Sequence, residues 1–170
     1  MPTAVKGGEA AATALANTLA TYINAEVDAI AAAWGDSATV PLPHVAAANI
    51  YTLRRAQLPA EGVALVVSVL GGEQTLNHAT EWGQLAHHLE VAVVCQSDDL
   101  YVLEAQVDRY LTAVWQVVMK HPGLDATVAT VVGCDPVRYG RSETYPHPKL
   151  PLMVLGGAWE VVVYVEQVTS

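Results

Sequence analysis

Six histidines, two cysteines and seventeen acidic residues are the groups in this 170-residue sequence with the means for metal, nucleophilic or acid–base chemistry. Their spacing assembles none of these. His87 and His88 are adjacent in a strand-like run, and strand neighbours point to opposite faces, so they cannot easily share one ion. His88 and Glu90 share a face, yet two ligands do not make a zinc site, and no HExxH or CxxC spacing occurs. His44, His78, His121 and His147 fall in or beside expected loops and read as solvated. No GxSxG surrounds a serine, and Cys95 lies mid-strand, a poor place for an attacking thiol. Cys95 and Cys134 both end up in apolar runs and read as buried, reduced thiols. Gly7-Gly8, Gly71-Gly72 and Gly156-Gly157 lack the pattern of a phosphate loop and read as turn punctuation. Asp98-Asp99 suits a helix cap better than half of a carboxylate pair. The sequence therefore reads as a non-enzyme, with no catalytic residue, metal or cofactor expected.

The remaining chemistry is that of contact. Arg138, Arg141 and Lys149 gather in one proline-rich stretch, and Arg54-Arg55 is the basic pair of the first half. These five are the candidate contacts for an acidic partner surface. The competing reading of the stretch is a merely solvated loop.

The elements that would position them follow from periodicity. Between Glu9 and Trp34 the larger apolar residues Leu15, Leu19, Tyr22, Ile23, Val27, Ile30 and Trp34 recur at three- and four-residue steps, one face of a helix. Gly35 is placed for a left-handed cap. The alanine-rich remainder serves either packing on a sheet or a subunit contact. Pro41, Pro43 and Pro59 punctuate residues 36–61, where Val45–Leu53 is either a short helix or an extended edge segment. Gly62–Leu70 and Gln84–Gln96 read as strands. In the second, Leu85, His87, Leu89, Val91, Val93 and Cys95 share one face. Gly71–Gly83 between them is long for a hairpin connection and is expected to project as a loop. Ser97-Asp98-Asp99 caps a helix running to about Lys120, with Leu100, Leu103, Val107, Tyr110, Leu111, Val114 and Val118 along one stripe and Pro122-Gly123 as its stop. Thr127–Cys134 and Trp159–Val168 are further strands. Asp135–Gly157, with its four prolines, is expected to be an extended loop or arm, with Asp135–Tyr139 either part of it or a continuation of the strand before it.

The order helix, strand, strand, helix, strand, strand favours an α+β fold. The expectation is a largely antiparallel mixed sheet of about four to five strands flanked by two main helices, with long loops. One domain over 1–170 is expected, divided into the helix (9–34), sheet and central helix (62–134), arm (135–157) and last strand (158–168).

Composition limits function further. Apolar residues make up 52% and charged residues only 15% of the chain, against roughly 25% charged in an average globular protein. So sparsely ionised a surface favours association with copies of itself. The net charge of −9 is spread evenly, −4 over residues 1–85 and −5 over 86–170. Such a chain has no basic footprint for gripping nucleic acid. No secretion signal or membrane span is read, so synthesis in the cytoplasm is expected.

Taken together, the strand His88–Gln96 (HLEVAVVCQ), Asp98-Asp99, the helix with Glu104, Val107, Arg109-Tyr110 and Val114, and the last strand opening Gly157-Ala158-Trp159-Glu160-Val161-Val162-Val163 resemble the neck and tail-completion proteins of long-tailed bacteriophages, most nearly the tail terminator family. The resemblance covers residues 62–168 and consists of element order and loose patterns. It implies a subunit of a ring, commonly hexameric, in the virion. Such a ring caps the tail tube, stops its polymerisation and meets the head connector proteins, while DNA passes through the lumen without specific binding. The alternatives are a head-tail connector or stopper, another minor tail protein, and, from a different class, a small-molecule-binding domain or enzyme.

Overall fold

The computed structural model describes residues 8–52, 62–77, 82–124 and 131–168. Helix α1 spans Gly8–Trp34 and buries Leu15, Leu19, Ile23, Val27 and Ile30, the expected stripe. Ala11, Ala12, Ala14 and Ala16 are buried beside them in the chain's own core. These N-terminal alanines therefore pack inside the chain, where small side chains let the helix approach closely, while Ala20, Ala25, Ala29, Ala32 and Ala33 stay exposed. Trp34 departs from the expected stripe. It is 65% exposed, and its ring lies 4.5 Å from the Arg109 guanidinium. Gly35 (φ +66°) turns left-handed and donates its N–H to Ala31 O at 3.0 Å, ending the helix as expected.

Residues 36–51 realise both readings of this region: a short 3₁₀ turn, Ala47–Asn49, runs into strand β1, Ile50–Tyr51. Prolines lack the N–H that would tie such a segment into a ladder, so side chains tie it instead. Arg109 clamps Asp36 with two bonds of 2.7 and 2.6 Å. Gln106 donates to Pro41 O, and the Tyr110 hydroxyl donates to Pro43 O. The Asn24 carboxamide exchanges two bonds with the Val45 backbone.

Strands β2 (Ala64–Asn77) and β3 (Trp82–Ser97) form a long antiparallel hairpin. The connection expected over Gly71–Gly83 is thus mostly strand, because Gly71-Gly72 does not stop β2. A register shift between Val69 and Gly71 absorbs Leu70 as a bulge, a place where strand glycines are common. His78 lies outside the described residues. Helix α2 (Leu100–Lys120) is capped by the Asp99 carboxylate, which accepts from the N–H groups of Tyr101 and Val102. Asp99→Ala is expected to cost about 1 kcal/mol, the usual loss for a removed N-cap, measurable by urea unfolding.

Strand β4 is Val131–Arg141, β5 is Tyr145–Pro146 and β6 is Met153–Val168. The expected arm over 135–157 is corrected here: most of it is ladder. Pro136 is accommodated because β4 is an edge strand and a second register shift follows it, between Pro136 and Arg138. Pro146 closes the two-residue β5 opposite Met153, and Pro148 and Pro151 lie in the turn that follows, residues 147–152. The last strand accordingly begins at Met153 instead of Trp159.

The sheet order is β1-β2-β3-β6-β4, with β5 beside β6; β1 pairs β2 in parallel and every other pair is antiparallel. Two of the six strands are two residues long, so the sheet matches the α+β expectation of two helices on a largely antiparallel mixed sheet. Both helices share one core cluster with Leu65, Val67, Leu89, Val91, Val93, Val161 and Val163, all from the same sheet face. The sheet is therefore helix-covered on one side and open on the other. Among the described residues no helix is long and apolar enough to cross a membrane.

Candidate functional site

The open face is built by strand alternation. On β3 it receives His88, Glu90, Ala92 and Val94, and the register with β6 sets Val162, Glu160, Ala158 and Gly156 opposite them. β4 adds Arg138 beside Glu160 and Gly140 beside Ala158. Small residues thus floor a shallow concavity of about 710 Å³, with Leu70 and Tyr145 among its walls. Both of these are large apolar side chains left substantially exposed.

At one end of this floor stands an ionic cluster that sequence reasoning missed. Glu160 accepts from Arg138 Nε at 2.5 Å and pairs with His88 Nδ1 at 2.9 Å. These bonds hold its carboxyl below the usual carboxylate range, the His88 bond contributing most. His88 and Glu160 are 72 residues apart, and only the register between their strands joins them. The shared face of His88 and Glu90 was legible, but not the strand beside it.

The remaining predicted contact residues fare differently. Arg141 pairs with Asp108 on α2, so both arginines of the stretch are engaged within the chain. Lys149 lies exposed at the hairpin tip, away from any ion pair among the described residues. Arg54 and Arg55 lie outside the described residues. Of the histidines expected to be solvated, His44 pairs with Asp28 at 2.8 Å. His121 stacks on Tyr22 with ring centres 3.7 Å apart. His147 accepts backbone N–H bonds.

The second feature is a cleft of about 370 Å³ between α2 and β4, lined by Asp108, Leu111, Thr112, Trp115, Tyr139, Arg141 and Trp159. Its aromatic wall forms because the bulge before Arg138 turns Tyr139 to the helix side, opposite Trp159, with ring centres 4.9 Å apart. Trp159 Nε1 donates to Leu111 O at 2.8 Å, which fixes the indole. Trp115 and Tyr139 are 40% and 64% exposed. Neither feature presents a nucleophile beside a base. Cys95 and Cys134 are buried and unbridged; burial raises the Cys95 thiol far above its usual range and Cys134 to about 12. Among the described residues no group of three or more His, Cys, Asp or Glu converges as a metal cage would need.

Two carboxylates make stability depend on acid. The Arg109 side chain holds Asp36 below the ordinary carboxylate range, as His88 and Arg138 hold Glu160. A group whose folded pKa is depressed contributes stability above its unfolded value, near 4, and loses that contribution as pH falls through the folded value. The thermal midpoint should therefore be flat from pH 7 to about pH 5 and fall on further acidification. Asp36→Asn should lower the neutral-pH midpoint and shrink the acid-dependent fall, read by scanning calorimetry.

No protein-family model matches this sequence, and no curated protein is similar to it. Among solved structures, a chain of the virion of a native gene transfer agent particle is similar at 15% identity and a TM-score of 0.44, over 89% of this chain and 97% of that one.

Proposed function

We propose that this chain is a structural virion protein, a tail terminator whose copies close into a ring at the head-proximal end of a phage tail tube. The observation that supports it best is the open sheet. β1 pairs only Leu65 and Val66 of β2, so the outer edge of β2 from Val67 onward is unpaired among the described residues. The outer edge of β4 is likewise unpaired at the other side of the sheet. Exposed strand edges invite pairing with another chain, and soluble monomers usually blunt them. Two different edges on opposite sides suit head-to-tail contacts, which end in a closed ring when the rotation permits. The segment resemblance to tail terminators gives that ring its place, against the tail tube on one side and head connector proteins on the other. An acidic chain of net charge −9 suits a passage for DNA that does not adhere to it. The role is one of assembly and not catalysis.

The test is tail-tube assembly with purified components. Tubes formed with this protein should stop at a defined length and carry a ring of it, commonly six copies, at one end in electron micrographs. Tubes that grow to the same distribution of lengths without it, and carry no added ring, would count against the terminator role. A ring bound instead to head connectors alone would favour a stopper.

A further inference from the structure

The tip of the β4–β6 hairpin and the cleft beside α2 have matching chemistry and lie apart along β6 within one chain. The tip, residues 147–152, exposes Pro148, Lys149, Leu150 and Pro151. It is already shaped: the His147 ring accepts from the backbone N–H groups of Lys149 and Leu150, each at 3.0 Å. A turn ordered in advance loses little conformational freedom on docking. The cleft offers Trp115, Tyr139 and Trp159. Aromatic-lined grooves are a general receptor for proline, since rigid apolar rings meet at small entropic cost. Its volume of about 370 Å³ falls in the roughly 300–1,000 Å³ range of binding sites. Charge is complementary as well. The exposed side of α2 beside the cleft carries Glu104 and Asp108, one helical turn apart. Arg141 already holds Asp108, which leaves Glu104 as the carboxylate without a cation among the described residues, while Lys149 arrives without a carboxylate of its own.

Met153, where the tip rejoins β6, precedes Trp159 by six positions, about 20 Å at roughly 3.3 Å per residue. The tip extends beyond that point, away from its own cleft. We propose that the tip of one copy docks into the Trp115–Tyr139–Trp159 cleft of a second copy, with Lys149 facing Glu104. This rests on the ring reading and names its subunit contact. One donor tip and one acceptor cleft per chain make the contact head-to-tail, as a closed ring requires.

Two variants of the full chain test it by sedimentation velocity. The tip variant carries Pro148→Gly, Lys149→Glu and Pro151→Gly; the cleft variant carries Trp115→Ala and Tyr139→Ala. All five positions are exposed, and circular dichroism checks folding; the single change Lys149→Glu serves if a multiple variant fails to fold. Wild type should assemble, and each variant alone should sediment as a monomer. An equimolar mixture should stop at heterodimers, since it offers one intact tip and one intact cleft. A peptide of residues 145–152 should also change the tryptophan emission of the tip variant and leave that of the cleft variant unchanged. Variants that keep the wild-type oligomer would overturn this contact while leaving the ring standing. A mixture that remains monomeric would likewise overturn it. A wild type that is monomeric at millimolar concentration would overturn the contact and the ring together.

Discussion

Leu19→Ala should destabilise the protein by about 2–5 kcal/mol, the usual cost of emptying a fully buried leucine site. The side chain is 0% exposed at the centre of the α1 stripe. Neighbours there come from the helices and one sheet face, already packed around valines and alanines that cannot expand into the space. At about 2–4 °C of midpoint per kcal/mol for a domain of this size, the thermal transition should fall by roughly 4–20 °C. Thr13→Ala, on the exposed side of the same helix, should shift it by no more than a degree or two. Equal, small shifts from both would mean that α1 is held from outside the subunit, and that its alanine face belongs to an interface after all.

Gly157→Val should be nearly as damaging, for the opposite reason. A Cβ at Gly157 would lie 2.7 Å from Leu111 Cδ1, 3.0 Å from Val107 Cγ1 and 3.2 Å from Gly140 O. Two of these contacts are α2 side chains fixed in the core, and the third is backbone of the neighbouring strand, so no single rotamer change relieves the crowding. Overpacking of this kind costs about 1–3 kcal/mol. Because α2 also carries one wall of the aromatic cleft, the tryptophan emission of the folded variant should shift as well. Gly140→Ala is the control, since a Cβ there meets nothing within 4 Å. It should leave both stability and emission unchanged. Calorimetry with fluorescence reads the two effects in one series.

What was legible in the sequence follows from which interactions are local. The two long helices declare themselves through residue spacing, a capping aspartate and a left-handed glycine, all set within one or two turns. The inward face of β3 was legible from alternation alone: Leu89, Val91, Val93 and Cys95 are fully buried. Strand lengths were not. Gly71-Gly72 looks like a stop but sits at a bulge, and Pro136 looks like a break but lies on an edge strand, and both depend on what lies beside them in the sheet. The same limit hid the site. Arg138 and Arg141 stood out as cations, but their partners Glu160 and Asp108 lie 22 and 33 residues away. Tyr139, Trp159 and Trp115 come from three separate elements, so the aromatic cleft has no sequence signature. Lys149 was read into a loop from the prolines around it, and it lies exposed in the turn between β5 and β6.

Self-assembly into a closed circle is read most directly by sedimentation velocity and electron microscopy of the protein alone and with tail tubes. The expected result is one discrete oligomer, seen as an annulus in electron micrographs, either free in solution or seated on the tube end. A single species at the 18.0 kDa mass of one chain, in both conditions and with no density added to the tubes, would contradict it.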